Sequence, residues 1–282
     1  MRKKLRQSLN QANGPANSLS AYNSFDIVGD IAITKLPISS QQDVKAVAQA
    51  ILQRHKGVKT VLMQASKVSG DYRLRKLICI GGENRTRTVH KESDCIFAVD
   101  VEKCYFSPRL SYERRRIAEL VRPNEVVVNM FAGVGCFSIL IAKRQFTAKV
   151  YSIDINSDAI KFMEDNIRIN RVFGKVIPVF GDAKTVIANQ LKGYADRIVM
   201  PLPEKAFEYL PTAVSALKPS GGWIYFHAFE HAIKTENPAE NVKRKMEKIL
   251  DSLGVNFEIP FARVVRSTGP NWWQLALDVH IS

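Results

Sequence analysis

The chain has 282 residues, 46% of them apolar, enough to fill the core of one large domain and a smaller one. No run approaches the roughly eighteen apolar residues of a membrane span, and the opening MRKKLRQSLNQANGPANS lacks the apolar centre of a secretory signal, so a cytoplasmic protein with no membrane partner is expected. Lys and Arg number 41 against 27 Asp and Glu, a net charge of +14 that suits a surface meeting polyanions such as nucleic acid.

Residues 1–20 read as a flexible basic tail, 21–116 as an α+β domain for RNA, and 117–282 as a larger α/β domain. In chain order, FDIVGDIAITKL at 25–36 alternates apolar positions around Gly-Asp and predicts a hairpin. QDVKAVAQAILQRH at 42–55 has helical spacing. KTVLMQAS and RKLICIGG predict two strands, and RTRTVHKESDCIFAVDVEKCYF a hairpin leading into another strand. In SPRLSYERRRIAELVRP at 107–123, Ser-Pro starts a helix. Ile117, Ala118, Leu120 and Val121 supply its apolar face, and Pro123 closes it.

From Glu125 onward strands alternate with helices. VVVNMF, KVYSIDI, KVIPVFGDA, DRIVMPL, GGWIYFHAF and WWQLALDVHI read as strands; GCFSILIAKRQ, SDAIKFMEDNIRINR, AFEYLPTAVSALK and VKRKMEKILDSLG read as helices. This order predicts a doubly wound parallel sheet of Rossmann-like α/β class. Such sheets bind ligands at the carboxyl ends of their strands. Cys79, Cys95, Cys104 and Cys136 form no CxxC pair and have no histidines at ligand spacing, so neither a disulfide framework nor a metal is expected.

In FAGVG, at the end of the first of these strands, Gly133 and Gly135 permit a tight turn and close approach of backbone to ligand. Ser138 stands where a dinucleotide fingerprint has Gly or Ala, which weakens a NAD reading. Asp154 ends the next strand about twenty residues on, placed to accept both hydroxyls of an adenosine ribose. Asp182 in VFGDAK ends the third, within reach of an adenine amino group.

Seven blocks carry a resemblance: SGDYRLR, GGENRTRTVHKE, YFSPRLSYERRRIA, VVVNMFAGVGCFSI, SIDIN, DRIVMPLP and RVVRSTGPNWWQLALDV. From about Asp26 onward the chain resembles the archaeal and eukaryotic tRNA guanine-37 N1-methyltransferases and the related aminocarboxypropyl transferase of wybutosine synthesis. The resemblance implies a class I methyltransferase fold, S-adenosyl-L-methionine as cofactor and the tRNA anticodon stem-loop as partner; a monomer is expected. It implies cofactor contacts at Asn129, Phe131, Ala132, Gly133, Gly135, Asp154, Ile155, Asp182, Ala183 and Pro201. CFSI is nearer the methyltransferase branch than the aminocarboxypropyl branch.

Methylating N1 of guanine requires a general base for its proton and a donor for charge moving onto O6. The resemblance assigns Glu113 as base, Arg73 as the cation facing O6, and Arg114 as an orienting helper. Arg85, Arg87, His90 and Lys91 on a hairpin, with Arg109, Arg115 and Arg116, are candidate phosphate contacts. Tyr105, Phe106, Tyr112 and Phe131 are candidates for stacking or core. Two positions depart from the family. Asn129 stands where aspartate is usual. Pro201 stands where an asparagine holds the guanine edge, and proline offers no such side chain. Aminocarboxypropyl transfer or carbon-7 methylation of a wybutosine precursor therefore stays open, as does a non-catalytic RNA-binding module.

Overall fold

A computed structural model describes residues 25–36 and 41–282; the basic tail expected at 1–20 lies outside them. The chain divides into two compact units, 1–111 and 112–282, so the division falls five residues before the expected 116/117.

In the first unit, β1 (Phe25–Val28) and β2 (Ile31–Thr34) form the predicted hairpin. Gly29 turns it at φ +56°, and a Cβ there would meet Thr88 Oγ1 at 2.2 Å, so only glycine fits. Helix α1 (Gln41–Arg54) crosses to β3 (Thr60–Gln64), parallel to β2, and β4 (Leu77–Gly82) runs antiparallel to β3. Val47, Ala48 and Ile51 of α1 pack with Ala32, Val58 and Val61, the helical period meeting the apolar face of the sheet. β5 (Arg87–Glu92) and β6 (Cys95–Asp100) make a separate hairpin. Its two-residue turn holds Ser93 and Asp94 at φ +48° and +63°, the left-handed pair that matches strand twist. The strand expected after it does not form. The Asp100 carboxylate accepts the N–H of Glu102 at 3.1 Å, and Asp100 C=O accepts that of Cys104 at 2.9 Å, so a turn replaces it.

Helix α2 (Ser111–Leu120) follows a short 3₁₀ turn at Pro108–Leu110. Ile117 and Ala118 are fully buried, but Leu120 is 42% exposed, and Val121, just past the helix, is buried instead. The second unit then runs β7 (Val126–Asn129), α3 (Cys136–Arg144), β8 (Lys149–Asp154), α4 (Ser157–Asn170), β9 (Val176–Phe180), α5 (Ala183–Val186), β10 (Arg197–Met200), α6 (Ala206–Ala216), β11 (Gly222–His231), α7 (Pro238–Ser252), β12 (Phe257–Gly269) and β13 (Trp272–Ile281). Its sheet has the order β12-β13-β11-β10-β7-β8-β9.

Three features go beyond the prediction. The sheet is mixed, because β13 is antiparallel to both β11 and β12. α5 with its π-helical continuation (Ile187–Leu191), and β12, were not anticipated. β12 carries Pro260 and three register shifts against β13, which obscure its alternation, and its edge position tolerates the missing donor. One core joins Ile198, Met200, Ile224, Phe226, Leu275 and Leu277 of the sheet to Ile187, Leu210, Met246 and Leu250.

Candidate active site

The carboxyl ends of β7, β8 and β9 bring the glycine turn and both carboxylates together. Gly133 and Gly135 have φ +55° and +91°; a Cβ on Gly135 would lie 2.8 Å from Met163 Cγ, so the turn needs glycine on two counts. The Gly133 N–H donates to Asp154 Oδ2 at 2.6 Å, the Asn156 N–H donates to Oδ1 at 2.9 Å, and the Ala132 N–H donates to Ile153 C=O at 2.8 Å. Each Asp154 oxygen keeps acceptor capacity for a ribose hydroxyl. Burial pushes this carboxyl up from its ordinary value, against those two backbone N–H groups. Ile155, half-buried, lies between Asp154 and Asn156.

Asp182 caps α5: Oδ1 accepts from the N–H groups of Lys184 at 2.9 Å and Thr185 at 3.4 Å, while Oδ2 accepts the Tyr209 hydroxyl at 2.5 Å. Tyr209 stands edge-on to Phe131, centroids 5.1 Å apart, and Ala183 is buried beside the cap. Beneath the turn, Asn129 Nδ2 donates to Ser138 Oγ at 3.1 Å, and Ser152 donates to the same oxygen at 2.7 Å. The serine that breaks the dinucleotide fingerprint is thus a core hydrogen-bonding post. Asn129 Oδ1 also receives the Phe131 N–H at 3.4 Å. Pro201 follows β10 directly, half-buried.

Glu113 is 1% exposed and Arg114 3%, where a surface reading of Glu-Arg-Arg-Arg would leave both in water. Arg116 donates from Nε to Glu113 Oε2 at 2.9 Å and bidentately to Asp278 at 2.6 and 2.8 Å; Arg263 lies 3.5 Å from Glu113 Oε1. Burial pulls the Arg116 guanidinium down, but Asp278 and Glu113 outweigh it, and the net direction is up. Oε1 itself accepts no hydrogen bond. A buried carboxylate with one oxygen that accepts no hydrogen bond has a lone pair to offer a substrate proton. Asp278 and Arg263 were missed in the sequence, although a lone acid inside WWQLALDVHI is a visible anomaly in an apolar strand.

In the first unit, Arg73 sits at φ +55° with its guanidinium 4.0 Å above the Tyr105 ring. It lines a pocket with Asp26, Gln64, Arg75, Tyr105 and Phe106. Burial, reinforced by Arg73 and Arg109, holds the Arg75 guanidinium below its ordinary value. Several expected phosphate contacts have partners within the protein. Arg85 is bound bidentately to Asp30 at 3.0 and 2.6 Å and to Glu83 at 2.6 Å, Arg109 pairs with Asp26 at 2.5 Å, and His90 Nδ1 accepts the Gly29 N–H at 3.1 Å. With Arg116, these are structural ties. Arg87, Lys91 and Arg115 remain at the surface. Among the described residues, no group of three or more His, Cys, Asp or Glu could hold a metal ion, and no helix is long and apolar enough to cross a membrane.

A seven-stranded sheet with one reversed strand, a glycine turn and acids ending successive strands defines a nucleotide-cofactor protein of the Rossmann-like class. The TRM5/TYW2 methyltransferase domain matches residues 88–255, and the TYW2 N-terminal domain matches 5–86. The chain belongs to the TRM5/TYW2 methyltransferase family, enzymes that use S-adenosyl-L-methionine. It is 40% identical over 259 residues to the tRNA (guanine(37)-N(1))-methyltransferase Trm5b of Pyrococcus abyssi, covering 92% of this chain and 75% of that one. The crystal structure of that Trm5b superposes with a TM-score of 0.85 at 39% identity, over 96% of this chain and 79% of the other. The tRNA 4-demethylwyosine(37)-methyltransferase Taw21 of Saccharolobus solfataricus is 36% identical, over 92% of this chain and 94% of its own length. A structure of M. jannaschii TYW2 in complex with AdoMet matches with a TM-score of 0.65 at 27% identity, over 92% and 99% of the two chains.

Proposed function

We propose that the protein methylates the base of nucleotide 37 in the tRNA anticodon loop, at N1 of guanine. Glu113 is the general base. The observation that carries this reading is the buried Glu113 carboxylate, whose Oε1 accepts no hydrogen bond while Arg116 and Arg263 flank it. S-adenosyl-L-methionine, when bound, supplies an activated methyl group. Gly133 and Gly135 would bring backbone against the methionine end, Asp154 would accept the ribose hydroxyls, and Asp182 with Ala183 would meet the adenine. Glu113 takes the N1 proton as that nitrogen becomes the nucleophile.

A second reading is favoured by one position. Pro201 ends β10 without a hydrogen-bonding side chain, so the base edge need not be that of guanine, and a tricyclic wybutosine precursor fits the same nucleotide. The assay that separates the two uses the purified protein and cofactor labelled separately in its methyl and amino-acid parts. One tRNA is unmodified and one carries the precursor, and the products are digested to nucleosides for mass spectrometry. Methyl label in 1-methylguanosine is the expected result. Methyl label only on the tricyclic base, or transfer of the amino-acid chain, replaces it with a wybutosine-pathway activity; tRNA binding with no product leaves a binding module. Glu113→Gln is expected to lower turnover on the order of a hundredfold or more with cofactor affinity retained; unchanged turnover removes Glu113 from the role.

A further inference from the structure

Within the second unit, His227 on β11 is 1% exposed, yet neither Nδ1 nor Nε2 has a hydrogen-bond partner. Across the sheet it faces Ala276. Its ring meets the edge of Phe137, centroids 6.1 Å apart. Burial pushes the imidazole down to about 3, with Arg116 a smaller cause, so it is neutral at physiological pH. A neutral imidazole carries one donor and one acceptor, and leaving both unmet in a core is unfavourable.

Its position explains what would meet them. Met200 pairs in register with Phe226, so His227 is level with Pro201 at the carboxyl ends of the strands, where such sheets bind ligands. Phe137 belongs to the first turn of α3, directly after the Gly133–Gly135 turn. Arg116, whose charge His227 feels, holds Glu113. The first turn of α3, the β10 end and the charge of Arg116 therefore all bear on one side chain without a hydrogen bond.

We infer that His227 contacts the nucleobase being modified, donating its N–H to a carbonyl oxygen on the base edge. This rests on the proposed function and adds a specificity-determining residue to it. An uncharged imidazole is a suitable donor to an oxygen that gains charge as the ring loses its proton, and Pro201 beside it supplies no competing side chain.

The test compares the wild type with His227→Phe and His227→Gln. It measures melting temperature, cofactor affinity by calorimetry, methylation kinetics, and binding to two tRNAs that bear either guanine or an abasic site at position 37. His227→Phe should melt no lower than wild type and bind cofactor within about twofold. Its kcat/KM should fall roughly ten- to a hundredfold, and it should lose the preference for the guanine-bearing tRNA; His227→Gln should recover part of both. A His227→Phe protein with wild-type kcat/KM and preference would make the residue structural only. A tenfold loss of cofactor affinity would move its contact to the cofactor. Either result overturns the inference. If the wild type forms no modified nucleoside, the proposed reaction fails, whereas the binding preference still decides the role of His227.

Discussion

Asn129, Ser138 and Ser152 show how a single side chain sets what a glycine turn can hold. All three are buried; Ser138 accepts from the other two, and Asn129 in turn fixes the Phe131 N–H. An amide at 129 thus ties the floor to the turn without placing a charge in the core. His227 gives a measurable consequence at this scale. Its ordinary pKa is 6.5 and its folded value is pushed down to about 3, so the unfolded chain takes up the proton first on acidification. Proton uptake by the unfolded chain therefore costs the fold nothing above pH 6.5 and lowers its stability progressively as pH falls toward about 3. Urea unfolding from pH 6 down to 4 should show wild type losing about 1.4 kcal/mol per pH unit more than His227→Phe; parallel profiles would refute this. Arg116, the charge that acts on His227 from α2, is common to both proteins. The placement of Gly133, Gly135 and Asp154 in a turn and at a strand end was readable in the sequence because glycines and an acid directly follow apolar strand patterns. Arg85 and Arg109 were not: a basic residue's letters say nothing of Asp30 or Asp26, which approach only after folding.

At the scale of elements, α2 is bound to the far end of the second unit's sequence. Arg116 joins Glu113 on its own helix to Asp278 on β13, 162 residues away, and its guanidinium lies 4.4 Å from the Phe261 ring of β12. Arg116→Ala would leave two carboxylates, 1% and 7% exposed at the side chain, without their shared cation. The expected destabilisation is about 3 kcal/mol or more, read as a lower urea midpoint, and adding Asp278→Asn should recover part of it. Equal stability of Arg116→Ala and wild type would show the pairing to be incidental. The helix was legible from Ser-Pro and its apolar spacing; its burial was not, because Glu-Arg-Arg-Arg reads as a solvated face until β12 and β13 supply partners. α5 was hidden for a related reason. Four α-helical residues are too few to show a period, and the Asp182 cap that starts them was read as a ligand only.

Across the whole molecule, the charge of +14 survives the internal pairing of Arg85, Arg109, Arg116 and Arg197, since pairing also consumes acids. Association with tRNA should therefore weaken steeply with salt, log affinity falling linearly with log salt by several units of slope. Filter binding from 50 to 300 mM potassium chloride checks this, and a flat response would show that recognition does not run through phosphates. The sheet order carries a separate lesson. β13, made last of the seven strands, lies between β11 and β12. During synthesis both neighbours must wait with open hydrogen-bonding edges until it slots between them. A ribosome that stalls before Trp272 would leave two adhesive borders on a half-built nascent sheet, so synthesis of β13 decides whether the newborn sheet closes or aggregates.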